Sequence, residues 1–158
     1  MSVGAIIRDE AFRLQLNPDL IAAVIQHESG GNPWAIRHEP DFARQYLDGK
    51  SETDLRGFWP EDSAHKRQER LLRCFSMGLM QIMVQTAREH GFDEYYATAL
   101  LDPKTNINLG CKILQNNLGL TGDTTKALLK YNGGRDKSYP QKVLKLIDSG
   151  QAHYLLRV

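Results

Sequence analysis

Apolar residues recur three and four positions apart over most of this chain, which is the spacing of an amphipathic helix. Polar and apolar residues do not alternate over any run long enough for a sheet. Five helices are predicted from this periodicity, over residues 3–16, 18–28, 103–118, 124–132 and 139–148. We therefore predict a mainly α fold.

Residues that start and stop helices support these boundaries. Asn17 is a predicted N-cap, and Pro18 follows it in the first turn, where the missing N–H costs nothing. Gly30 and Gly31 are predicted to end the same helix. Asp102 precedes another proline and is predicted to begin the long third helix.

Length and composition restrict the class of protein. The chain has 158 residues, is 41% hydrophobic and is 25% charged, which is typical of one globular domain and not of a disordered chain. We predict a single domain over 1–158. The apolar run at 20–25 is far shorter than a membrane span, so no membrane insertion is expected.

Cysteine and histidine residues give no ligand pattern. Cys74 and Cys111 lie too far apart for a metal-binding pair, and we expect reduced thiols rather than a disulfide. The histidines show no spacing typical of zinc ligands, so we predict no metal and no cofactor.

Charge is balanced overall at +1 but uneven along the chain. Residues 124–158 contain seven Lys or Arg against two Asp. This excess fits an anionic polymer, and it fits equally an ordinary solvated helix face. Without a recognition motif, we predict no nucleic-acid partner.

The segment from Arg37 to Phe75 lacks a regular period until 61–73, where one short amphipathic helix is predicted. Long ordered loops in compact domains usually carry function. We expect this segment to cover a site or to move beside one.

Glu28 is the residue that does not fit its helix. It continues the apolar stripe of Leu20, Val24 and Ile25 at the end of the second helix. Lost hydration and the negative end of the helix dipole would both raise the pKa of this carboxyl toward that of a useful proton donor. Alternatively, the stripe ends at Ile25 and Glu28 is solvated.

Four motifs occur in a fixed order around this residue. They are Glu28-Ser-Gly-Gly-Asn-Pro33, Ser76-Met-Gly-Leu-Met-Gln-Ile-Met83, Tyr131-Asn-Gly-Gly134 and Tyr139-Pro-Gln-Lys-Val143. Together they resemble the motifs of the lytic transglycosylase SLT family. This family has a lysozyme-like fold, of the α+β lysozyme superfamily with little β structure, and is related to goose-type lysozymes.

The resemblance implies roles for particular residues. Glu28 corresponds to the catalytic acid and base, and Tyr139 to a tyrosine that hydrogen-bonds near it. Substrate-binding roles are implied for Ser76, Met77, Gly78, Met80, Gln81, Tyr131 and Asn132. Local alternatives remain: the methionines are also typical core residues, Asn132 is also a typical helix cap, and Tyr139 could only begin its helix.

The chain departs from the family in one respect. Fifty positions separate Glu28 from Gly78, against roughly twenty in typical members, so residues of about 37–75 are predicted to be an insertion. It replaces a short strand-rich lobe of related enzymes. Glu39 and Asp41 in this insertion are candidate second carboxylates.

The implied activity is cleavage of the β-1,4 bond between N-acetylmuramic acid and N-acetylglucosamine in peptidoglycan, with a 1,6-anhydro product. Its partner would be the glycan strand, and we expect a monomer. Two alternatives remain open: a hydrolytic muramidase of the same fold, and a non-catalytic wall-binding or virion module.

No secretory signal is visible in the first ten residues. We therefore expect synthesis in a host cytoplasm and action on periplasmic peptidoglycan. The protein would be a phage endolysin released through a holin, or a virion component.

Overall fold

The computed structural model describes all 158 residues. Eight helices form most of it: α1 (Val3–Leu14), α2 (Pro18–Ser29), α3 (Pro40–Phe42), α4 (Ser63–Leu72), α5 (Val84–Glu89), α6 (Pro103–Thr121), α7 (Thr124–Tyr131) and α8 (Tyr139–Asp148). Helix α3 continues into a π-helical turn, Ala43–Leu47. This mainly helical architecture with one small sheet confirms the predicted fold class.

The predicted caps are the observed ones. The Asn17 side chain accepts a hydrogen bond from the Asp19 amide, and Gly30 ends α2 in the left-handed conformation. Asp102 caps α6, where its side chain accepts a hydrogen bond from the Thr105 amide. Helix α1 ends at Leu14 rather than at residue 16, because Gln15 already adopts a left-handed conformation.

Helix α2 lies at the centre of the core. All five residues over 21–25 are fully buried, with α1 on one side and α8 on another. Helix α6 contributes Ile107, Cys111 and Leu114, which belong to the predicted stripe and are also fully buried. Because the middle of α2 is enclosed by the core, the position of its last turn is fixed.

Periodicity alone predicted no sheet, which is wrong, whereas the family resemblance implied a little β structure, which the small sheet confirms. Its three strands, β1 (Ile36–His38), β2 (Phe75–Met77) and β3 (Ile82–Met83), are antiparallel in the order β1-β2-β3. Strands of two or three residues cannot show a repeating alternation, so periodicity does not reveal them. His38 pairs with Phe75, and the long segment between them therefore begins and ends on neighbouring strands.

Helix α4 of this long segment matches the helix predicted over 61–73. It is attached to α5 by a buried group that we call the arginine cluster: Glu69, Arg73 and Arg88. Arg88 donates to both Glu69 carboxylate oxygens at 2.8 and 2.9 Å, and Arg73 Nε lies 3.2 Å from one of them. Both guanidinium groups are fully buried. The segment is thus packed against the domain and is not a free loop.

Cys74 is half-buried, Cys111 is buried, and both are free cysteines. None of the helices combines the length and the apolar character needed to cross a membrane.

Candidate active site

A cavity of about 240 Å³ opens beside the last turn of α2. Six residues of the predicted site line it: Glu28, Glu39, Ser76, Gln81, Tyr131 and Asn132. Arg37 and Arg135 also line it, and neither was singled out from the sequence. We call this space the Glu28 cavity.

Glu28 lies one residue before the end of α2 and is partly buried at the cavity wall. Burial raises the pKa of its carboxyl, and the hydrogen bond from Tyr139 and the charge of Arg37 oppose this shift only in part. The net direction is upward, toward a protonated acid. The pKa of Glu28 is therefore raised, as its position on the apolar face of the helix predicts.

Tyr139 holds the Glu28 carboxyl from behind. Its hydroxyl donates to Glu28 Oε1 over 2.7 Å, and its side chain is buried at the first residue of α8. Burial raises the pKa of Tyr139 strongly, so the phenol remains a neutral donor. The His27 and Tyr139 rings pack in a T-shaped arrangement with their centroids 5.0 Å apart, and His27 does not line the cavity.

Ser29 connects the acid-bearing helix to the sheet side of the cavity. Its hydroxyl donates to the Leu79 carbonyl over 2.8 Å and accepts from the Gly31 amide at 3.2 Å. Ser29 belongs to the first of the four sequence motifs, but no role was predicted for it. Its partner is fifty residues away, and only the order of the two motifs hinted at the contact.

Gln81 lies on the cavity wall with its amide already engaged. Its Nε2 donates to the carbonyls of Ala35 and Gly78 at 3.0 and 2.9 Å, while Oε1 accepts from Ser76 Oγ at 3.0 Å. These bonds hold the turn between β2 and β3 in place. Contact of Gln81 and Ser76 with a sugar stays a prediction.

Three predicted binding residues lie beneath the wall rather than on it. Met77, Gly78 and Met80 are buried and do not line the Glu28 cavity. A Cβ on Gly78, whose φ is +78°, would lie 2.4 Å from Asn106 Nδ2, so only glycine fits there. The methionine side chains belong to the core, in keeping with the alternative that their spacing left open.

Asn106 on α6 supports this turn from inside, and sequence reasoning missed it. Fully buried, it donates to the carbonyls of Met77 and Leu100 at 2.9 and 2.8 Å and accepts from the Met80 amide at 2.8 Å. A buried amide with three backbone partners fixes the loop strongly, because losing it would leave all three groups unpaired.

Tyr131 and Asn132 close the far side of the cavity. The Tyr131 hydroxyl donates to the Met80 carbonyl over 2.9 Å, and burial raises its pKa well above the usual value. The Asn132 side chain accepts from the Asp136 amide at 2.8 Å, which orders the loop before α8. Both line the cavity, so the loop role of Asn132 and a sugar contact are compatible.

The two candidate second carboxylates are placed differently. Glu39 lines the Glu28 cavity, with ion pairs to Arg37 at 3.7 Å and Arg135 at 3.5 Å. Asp41 is exposed, pairs with Arg44 and does not line the cavity. No group of three or more His, Cys, Asp or Glu side chains is arranged to hold a metal ion.

The chain belongs to the transglycosylase SLT domain family, whose model matches residues 5–143.

A protein named "Transglycosylase" from Enterobacteria phage PRD1 is 33% identical to the chain over 141 residues. The alignment covers 84% of this chain and 38% of the phage protein, so the chain spans well under half the length of that relative. No solved structure matches the chain significantly.

Proposed function

We propose that this chain cleaves the β-1,4 bond between N-acetylmuramic acid and N-acetylglucosamine in peptidoglycan without consuming water, leaving a 1,6-anhydromuramoyl end. The observation that carries this proposal is the Glu28 carboxyl. It lines a cavity, its pKa is raised by burial, and a neutral tyrosine holds one of its oxygens.

Glu28 acts first as an acid. Because Tyr139 donates to Oε1, the carboxyl proton resides on Oε2, which is the oxygen available to the substrate. Oε2 delivers this proton to the bridging oxygen as the bond from that oxygen to C1 of the muramoyl unit breaks. The acetamido oxygen of the same sugar stabilises the positive charge that develops at C1.

Glu28 then acts as a base. Its carboxylate takes the proton of the muramoyl 6-hydroxyl, whose oxygen forms the new bond to C1. This proton restores the carboxylic acid of Glu28, so the enzyme ends the reaction in the protonation state in which it began. An internal hydroxyl and acetamide act at high effective concentration, which explains how one carboxyl can serve both steps.

Glu39 supports a second candidate, hydrolysis by a muramidase mechanism. Inverting glycosidases use a second carboxylate to activate water. Glu39 lines the same cavity as Glu28, although Arg37 and Arg135 bind its oxygens. These ion pairs compete with a water molecule for the Glu39 carboxylate oxygens.

Mass spectrometry of fragments released from purified sacculi separates the two mechanisms. Anhydro ends support the transglycosylase route, whereas reducing ends reject it in favour of hydrolysis. Glu39→Gln is the matched variant, since it should retain anhydro product under the first mechanism and lose activity under the second.

Glu28→Gln tests whether the chain is an enzyme at all. This variant keeps the shape of the side chain and removes its proton, so release of fragments should stop. Lysis at the original rate in Glu28→Gln would refute the assignment of the acid. Wall binding with no cleavage by the unaltered protein would indicate a non-catalytic module.

We further propose that the chain acts in a phage, as an endolysin. The similarity to a phage protein supports this setting. Protein found free in the lysate and not in purified particles agrees with an endolysin, whereas its presence inside particles would indicate a virion component.

A further inference from the structure

A second and larger cavity adjoins the Glu28 cavity on the side of the insertion. Its volume is about 770 Å³, and six residues line both spaces: Met83, Thr86, Ile113, Tyr131, Asn132 and Arg135. We call it the insertion-side cavity. Because the two spaces share a wall, a linear polymer bound at Glu28 can continue into the second one.

Two aromatic rings of the insertion form part of its wall. Phe42 and Tyr46 lie on the helical segment that follows β1, with ring centroids 4.9 Å apart. Tyr46 is 41% exposed although it is a large aromatic residue. Rings exposed at a cavity offer apolar faces to a ligand with C–H groups.

Amide side chains from α6 provide the polar part of the cavity. Asn116 and Asn117 both line it, and neither side chain hydrogen-bonds within the chain. Asn117 is only 6% exposed, and its side-chain amide makes no hydrogen bond within the chain, so that amide is free to bind a ligand in the cavity. An amide that has no protein partner on the wall of a cavity can both donate to and accept from a ligand bound there.

The combination of rings and amides fits a sugar. A pyranose ring has apolar C–H faces and an edge of hydroxyl and acetamido groups, and an amide can both donate to and accept from that edge. The charged residues of the lining, Lys130 and Arg135, are cationic, and no acid repels a carboxyl-bearing glycan.

We propose that the insertion-side cavity binds an N-acetylated hexosamine unit of the glycan strand, stacked on Tyr46 and Phe42 and hydrogen-bonded by Asn117. This inference rests on the proposed function for the identity of the strand. It gives the insertion a role in favouring long strands, because the extra sugar adds contacts that a short strand cannot make.

Binding is measured first, without cleavage. The ¹⁵N-labelled Glu28→Gln protein is titrated with N-acetylglucosamine oligomers of increasing length, which carry no peptide. We expect saturable shifts of the side-chain amide signals of Asn116 and Asn117. Unmoved signals, or shifts produced only by peptide-bearing fragments, would overturn the proposal.

Tyr46→Ala in the same background identifies the stacking contact. Loss of one aromatic contact should weaken binding roughly three- to tenfold, and Tyr46→Trp should restore it. Tyr96→Ala is the matched control, because Tyr96 is also an exposed tyrosine and lines neither of these two cavities. Equal affinity of Tyr46→Ala and Tyr96→Ala for the oligomers would show that the Tyr46 ring does not contact the sugar.

Cleavage of strands of defined length then separates this inference from the proposed function. The Tyr46→Ala protein should lose roughly three- to tenfold in kcat/KM on long strands and less on the shortest strands that are cleaved. If the unaltered protein cleaves none, the proposed function fails, and the amide shifts still decide whether the cavity binds a sugar.

Discussion

Removal of the Tyr139 hydroxyl should move the pH dependence of catalysis upward. Tyr139 donates to Glu28 Oε1 over 2.7 Å and favours the ionised carboxylate, which opposes the effect of burial. A hydrogen bond to a charged group contributes about 1.5–3 kcal/mol. One pH unit corresponds to about 1.4 kcal/mol, so Tyr139→Phe should raise the pKa of Glu28 by about 1 to 2 pH units.

The sign follows from the proposed role of Glu28 as the initial acid. Activity is present while Glu28 is protonated and is lost as the pH rises through its pKa. The alkaline limb of kcat/KM should therefore shift to higher pH in Tyr139→Phe. The measurement is the rate of release of soluble muropeptides across the pH range, together with NMR titration of the Glu28 carboxyl.

Tyr154→Phe is the matched control. The Tyr154 hydroxyl donates to Gln26 Oε1 and the Gly30 carbonyl, at 2.8 and 3.0 Å, so it contacts the same helix without contacting Glu28. The alkaline limb of kcat/KM should therefore not shift in Tyr154→Phe. A limb that stays in place or moves to lower pH in Tyr139→Phe would refute the reasoning, as would an equal shift in both variants.

Three further predictions concern stability, each measured by urea unfolding. Glu28→Gln should be more stable than the unaltered protein at pH 8 and should lose this advantage below pH 4.5, the ordinary pKa of Glu. The reason is that the pKa of Glu28 is raised in the folded protein, so the stability of the unaltered protein falls as the pH rises through that pKa. A stability difference that does not depend on pH would contradict this. Asn106→Leu should lower the free energy of unfolding by at least about 3 kcal/mol, because three buried backbone groups lose their hydrogen-bond partner. A loss below about 1 kcal/mol would show that water replaces the amide. Glu69→Gln should lower the free energy of unfolding by about 3–5 kcal/mol, because it leaves Arg73 and Arg88 buried without a counter-charge. An unchanged urea midpoint would mean that these guanidinium groups reach solvent.

Local signals made the helices predictable. The caps at Asn17 and Asp102 lie next to the helices that they begin, and the stripe of Ile107, Cys111 and Leu114 repeats within one helix. Glu28 could be singled out for the same reason, since its conflict with the apolar face is visible over a single helix.

Contacts between distant segments were not predictable from one sequence. Ser29 meets Leu79, and Asn106 meets the turn before Met80, through side chains that look ordinary in their own helices. Glu39 and Asp41 are two positions apart and look alike, yet only Glu39 lines the cavity. The fold of the segment after β1 decides between them, and no short-range pattern encodes it.

The arginine cluster has a consequence for protein engineering. Deleting the stretch between β1 and β2 to obtain a shorter domain would remove Glu69 and leave Arg88 as a buried cation without its anion. A shortened design should therefore exchange Arg88 for a neutral residue in the same step. Truncation alone is expected to yield aggregates, whereas the paired change gives the trimmed domain a means to fold.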